Sequence, residues 1–130
     1  MKKLLLSIAA GLFVFSATAQ ELPKPSPLGE VEQKIGLTTL EVEYSRPSAK
    51  GRTIFGELVP YDKMWRLGAN MATKLEISTP ITIGGKEIAK GVYSMQAIPA
   101  ENGDWIIIIN SESELQGLSG YDEKKDVVRI

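Results

Sequence analysis

Residues 105–109 read Trp105-Ile106-Ile107-Ile108-Ile109, an unbroken apolar run in which four β-branched side chains follow a tryptophan. β-Branched residues are stiff at χ1 and suit a pleated strand, and an apolar run without alternation is the pattern of a strand covered on both faces. The run is therefore expected to be a buried strand at the centre of the core. On its upstream side, Val92 to Ile98 forms another alternating segment, joined to it by a turn from Pro99 to Gly103 with Asn102-Gly103 at the tip. Earlier still, Leu75 and Ile77 alternate with Glu76 and Ser78, Pro80 interrupts, and Ile81 to Ile83 runs into Gly84-Gly85 before Lys86 to Ile88. Two glycines between extended runs suit a two-residue hairpin, because both can take positive φ without steric cost. From Thr39 to Tyr44, apolar Leu40, Val42 and Tyr44 alternate with Thr39, Glu41 and Glu43, the period of a strand with one wet face. Downstream, residues 110–125 turn polar and contain Gly117 and Gly120, with at most one helical turn around Glu112 to Gln116, and Asp126 to Ile130 reads as a last strand.

Short strands separated by turns, with no alternation of strand and helix, predict an all-β domain. The expected architecture is an antiparallel β-sandwich or barrel-like domain with one long ordered loop. That loop is the stretch from Lys50 to Thr73, which shows neither a helical nor a strand period. Connections of this length in a compact domain are usually functional or packed by their own side chains.

The N-terminus carries Lys2 and Lys3, an apolar run from Leu4 to Phe15 and the small-residue pattern Ala17-Thr18-Ala19. This is the pattern of a cleaved signal peptide over residues 1–19, and the run is shorter than the roughly 20 apolar residues of a membrane span. Cleavage is expected after Ala19, giving a periplasmic or secreted protein with no membrane span in its mature form. Residues 20–36, with Pro23, Pro25 and Pro27, read as a proline-rich strap, because proline donates no ladder hydrogen bond. Residues 37–130 then form a single β domain.

Composition removes several function classes. There is no cysteine and no histidine, so a thiolate nucleophile, the usual zinc ligands and a Ser-His-Asp triad are all missing. No calcium-loop pattern is present, and neither a metal nor a cofactor is expected. The net charge is −1, and loss of Lys2 and Lys3 with the leader makes it −3, which offers nothing to nucleic acid.

The segment from Tyr44 to Thr73 reads Y-S-R-P-S-A-K-G-R-T-I-F-G-E-L-V-P-Y-D-K-M-W-R-L-G-A-N-M-A-T. It resembles the signature of a family of exported bacterial proteins called a domain of unknown function, number twenty-nine eleven. The match continues in G-V-Y-S-M-Q-A-I-P from Gly91, the strand at Trp105 and Y-D-E-K-K-D-V-V-R-I at the end. The resemblance implies an exported sandwich-like domain and brings no activity and no site residues. Similar members continue past the position of Ile130, so the sheet is expected to lack one or two C-terminal strands.

The long loop gathers the groups suited to recognition: Arg46, Arg52, Tyr61, Trp65, Arg66 and Asn70. Guanidinium groups offer planar paired donors to a carboxylate, phosphate or sulfate. The competing reading pairs these arginines with Glu41, Glu43, Glu57 and Asp62 to fasten the loop. Tyr61 and Trp65 would suit a sugar-stacking platform, although such aromatics are more often core. Glu41 and Glu43 point to one face of their strand about 7 Å apart, which is usually a solvated face and otherwise a candidate acid–base pair. The leading expectation is a non-enzymatic binding or interaction domain that takes a small anionic or carbohydrate ligand on this loop. The alternatives are a carboxylate-dependent hydrolase of envelope or dietary glycans and a purely structural envelope protein.

Overall fold

A computed structural model describes residues 22–130. The signal peptide read over residues 1–19 lies outside the described residues. The remainder folds into a six-stranded sheet and a separate two-stranded hairpin. The strands are β1 (Leu28–Ile35), β2 (Thr38–Ser45), β3 (Thr73–Ile77), β4 (Ile81–Ile83), β5 (Lys86–Ile88), β6 (Gly91–Ile98), β7 (Ile106–Asn110) and β8 (Asp126–Arg129). The large sheet runs in the order β1-β2-β3-β6-β7-β8, antiparallel throughout, and does not close into a barrel. The fold is thus all-β and antiparallel, as the sequence leads one to expect.

Register decides which side chains share a face. Val42 pairs with Leu75, Leu75 with Tyr93, Met95 with Ile109, and Ile109 with Val128. With Ile77, these residues line one face of the sheet, and that face is closed by the β4–β5 hairpin through buried Ile88 and the half-buried Ile81 and Ile83. The hairpin turn is Gly84-Gly85, with φ of 58° and 78°. A Cβ at Gly84 would collide with the side chain of Ile130, so the turn needs glycine for packing as well as for backbone conformation.

The opposite face begins as a row of acids. Glu30 lies opposite Glu43, Glu32 opposite Glu41, and Glu41 opposite Glu76. Like charges directly across strands are destabilising, so this half of the face stays wet. Farther along, Ser94, Gln96, Ile108 and Asn110 are fully buried, and the segment after β7 brings Leu115 in with them, buried and tied through its carbonyl to Ala72 N–H at 3.0 Å.

Three readings are corrected. Half of the expected strap is β1, an edge strand paired with β2 over its full length; its side chains are almost all exposed, so no apolar period marks it. Of the Trp105 to Ile109 run, Ile106 to Ile109 pair with β6 and Ile107 to Ile109 are also bonded to the chain end on the other side, and the run is not buried throughout. Trp105 and Ile106 are exposed, Ile107 is half-buried, and only Ile108 and Ile109 are core. The single helical turn is a 3-10 turn at Glu123–Lys125, not at Glu112 to Gln116; the Asp122 carboxylate caps it by accepting from Lys124 N–H at 3.0 Å.

Candidate functional site: an arginine-rimmed cavity

The chain between β2 and β3 has no regular strand, yet it is fixed at several points. Trp65 N–H donates to the Ala97 carbonyl at 2.7 Å and Ala97 N–H returns a bond to Trp65 at 2.9 Å, forming a short antiparallel bridge alongside β6. Arg46 N–H donates to Pro27 at 2.9 Å and Asp62 N–H to Pro99 at 2.8 Å. The non-glycine residues with positive φ among those described are Lys50, Asp62, Leu67 and Asn70, all of them in this loop. Asn and Asp tolerate that backbone; Leu67, at φ 57°, does not do so readily, and such residues cost about 1–3 kcal/mol and persist where the surroundings hold them. Gly68 lies so close to β2 that a Cβ there would sit 2.8 Å from the Ser45 carbonyl oxygen.

Folded this way, the loop and the end of β2 enclose an open cavity of about 750 Å³. Its wall is mostly apolar, from Ile54, Leu58, Val59, Met64, Leu67 and Leu118, with Trp65 among them. Arg46, Arg52 and Arg66 line it too. Its volume lies within the range of small-molecule pockets.

Four of the residues read from sequence, Arg46, Arg52, Trp65 and Arg66, are therefore brought together, and two are not. The Tyr61 ring packs against Gly56, where a Cβ would lie 3.0 Å from its Cε2, and Tyr61 is not part of the wall. Asn70 is exposed, and its amide reaches only the Ser45 hydroxyl at 3.4 Å.

The arginines are held by backbone carbonyls. Arg52 donates from Nε to Ala49 at 2.9 Å and from Nη2 to Ser48 at 2.8 Å, Arg46 from Nη2 to Leu28 at 3.4 Å, and Arg66 from Nε to Gly68 at 3.4 Å. Among the described residues none of the three pairs with a carboxylate; the ion pairs are Lys74–Glu114, Lys125–Glu112 and those of Arg129. The fastening role offered by Glu41, Glu43, Glu57 and Asp62 is thus not the one these arginines play. Glu41 and Glu43 stand instead in the acidic row. A guanidinium has five N–H donors, so each arginine retains donors that no described protein group accepts from.

Trp65 also belongs to an aromatic cluster that the sequence reading did not assemble. Phe55 stands 5.7 Å from Trp65 and 5.0 Å from Trp105, and the two tryptophans are 6.3 Å apart, all edge to face. Among the described residues Trp65 thus packs with Phe55 and Trp105, and no ring contact joins it to Tyr61. The members of this cluster lie far apart in sequence, and no local pattern announces it.

A second, smaller groove of about 330 Å³ runs over the acidic row between Glu41, Glu43, Glu76 and Glu114, with Lys74 bonded to Glu114 at 2.7 Å. The Glu30 carboxylate, then partial burial and the Glu76, Glu32 and Glu43 charges, push the Glu41 carboxyl up. Among the described residues no cluster of acidic side chains is arranged to hold a metal ion.

At the other end of the sheet, Asp126 accepts from Asn110 Nδ2 at 2.8 Å, from the Tyr121 hydroxyl at 2.8 and 2.7 Å and from Arg129 Nε at 2.7 Å. Burial alone would raise the Asp126 carboxyl; the bonds from Asn110, Tyr121 and Arg129, with the guanidinium charge, outweigh it and hold the carboxyl below its usual range. This network fastens β8 and the preceding segment to β7.

No described helix is long and apolar enough to cross a membrane. Comparison with curated proteins and with solved structures finds no match. The family described as protein of unknown function (DUF2911) matches residues 26–130, which takes in the whole sheet, the loop and the cavity. The chain belongs to that family.

Proposed function

We propose that the protein is a non-enzymatic binding domain whose loop cavity takes a small organic anion, held by Arg46, Arg52 and Arg66 and packed against Trp65. The observation that carries this reading is the gathering of three arginines on one largely apolar cavity, with no carboxylate partner among the described residues. An anion arriving from solvent would fill guanidinium donors that no described protein group uses. The left-handed backbone at Leu67 is the kind of local strain that persists at ligand-holding loops. On the same reading the domain works in the periplasm or outside the cell, an assignment that rests on the leader sequence of residues 1–19.

The hydrolase alternative would use the acidic groove. Its carboxylates are crowded and stay open to water, whereas a catalytic acid–base pair needs two groups whose surroundings differ, so this reading has the weaker support.

The test is calorimetric titration of the protein with sulfate, benzoate, octanoate and maltohexaose, repeated on Arg52→Ala and Arg66→Lys, with unfolding followed on the same samples. Saturable binding of at least one anion, lost in Arg52→Ala and weakened in Arg66→Lys, is expected, because lysine lacks the planar paired donors. Binding of maltohexaose alone, or variants that lose stability and keep the wild-type affinity, would contradict it.

A further inference from the structure

We infer that the anion held in this cavity carries an unbranched aliphatic tail, so that the ligand class is a single-chain alkyl carboxylate or its sulfate or phosphate equivalent. The inference rests on the anion-binding reading above and narrows it. The cavity combines two kinds of surface, guanidinium groups and a larger apolar area. Arg46 and Arg52 are exposed and Arg66 is half-buried, while among the apolar lining residues Val59 is buried and Ile54, Met64 and Leu67 are half-buried. Inorganic sulfate or phosphate would satisfy the arginines and leave this apolar wall in contact with water. A ligand with charge at one end and hydrocarbon behind it matches both parts at once.

Two further side chains mark the path of the tail. Leu58 is 50 % exposed and Leu118 is 36 % exposed, and both line the same cavity from different parts of the chain. Large apolar side chains scattered singly over a surface need no explanation, but two that face one cavity beside arginines are surface that a tail would cover. Hydrocarbon is the component for which most of this surface is suited.

The experiment is a titration of the full chain with butyrate, hexanoate, octanoate and decanoate at constant ionic strength and below the concentration at which each aggregates. Wild type is compared with Arg52→Ala, Leu58→Ser and Leu118→Ser; the last two change exposed side chains, and unfolding curves confirm that the variants remain folded. Affinity is expected to rise about two- to fourfold per added methylene until the wall is covered. Leu58→Ser and Leu118→Ser are expected to flatten that rise, whereas Arg52→Ala weakens every member by a similar factor. A flat series that still depends on Arg52 overturns the tail and leaves the anion-binding reading intact. Failure of every member, together with failure of sulfate and benzoate, overturns both. Sedimentation with phosphatidylglycerol vesicles without binding of free decanoate would indicate a headgroup read at a bilayer surface and would also overturn the free single-chain ligand.

Discussion

Trp65 and Ala97 exchange two backbone hydrogen bonds, 2.7 and 2.9 Å long, and thereby extend β6 with a piece of the loop that builds the cavity. Because Ala97 is fully buried beside this bridge, a larger side chain there has no space to enter. Ala97→Leu should cost about 1–3 kcal/mol in urea unfolding. The same change should alter the near-ultraviolet circular dichroism of the Phe55–Trp65–Trp105 cluster, since Trp65 is the residue displaced. Loss of stability with an unaltered aromatic signal would mean that the bridge does not position Trp65.

The burial gradient along β7 gives a paired prediction. Ile108 is fully buried, and Ile108→Ala should cost about 2–5 kcal/mol. Ile106 is 40 % exposed, and Ile106→Ala should stay within about 0.5 kcal/mol of wild type. Equal costs at the two positions would show that the run is buried end to end.

Acid titration should separate two carboxylates of opposite sign. The Asp126 carboxyl is held below its usual range, so its contribution is fully present above the unfolded value of about 4 and is lost as pH falls through the lower folded value. Asp126→Asn should therefore cost about 1.5–3 kcal/mol near neutrality, and the difference from wild type should fade below about pH 4. Glu41 is raised, chiefly by Glu30, so its repulsion is present above the folded value and is relieved as pH falls through it. Glu41→Gln should stabilise the protein at neutral pH, more at low salt than at high, and the gain should vanish on acidification. A gain at Glu41 that persists in acid would contradict the repulsion.

Much of the sheet was legible because its strands have one covered face. Leu40, Val42 and Tyr44 alternate with polar residues, and Gly84-Gly85 can hardly be anything but a tight turn. β1 was not legible, since an exposed edge strand such as Leu28–Ile35 has little apolar surface to bury and so carries no period. In the loop, Arg46, Arg52, Trp65 and Arg66 could be chosen by residue type, and the fold brings them together. Tyr61 and Asn70 are of equally suitable type, but side-chain direction excludes them from the wall, and direction is set by tertiary contacts such as Gly56 and Ser45. Phe55 and Trp105 were missed for the same reason, being neighbours only after the loop has crossed to β7.

Asn70 offers a clean check of that distinction. Its φ is 60°, a conformation that glycine adopts without strain, and its side chain makes one long bond to Ser45. Asn70→Gly should leave unfolding stability within about 0.5 kcal/mol and octanoate affinity within about twofold of wild type. A tenfold loss of affinity would place Asn70 in the site.

The most direct measurement of the central claim is a nuclear magnetic resonance titration of the arginine Nε–Hε signals with octanoate. The chain has four arginines, and Arg129 serves as an internal control because Asp126 and Tyr121 already occupy its donors. Saturable shifts of Arg46, Arg52 and Arg66 with one common dissociation constant, and a stationary Arg129, are the predicted result. Shifts that fail to saturate, or that are equal at all four arginines, would contradict the assignment of this cavity as an anion site.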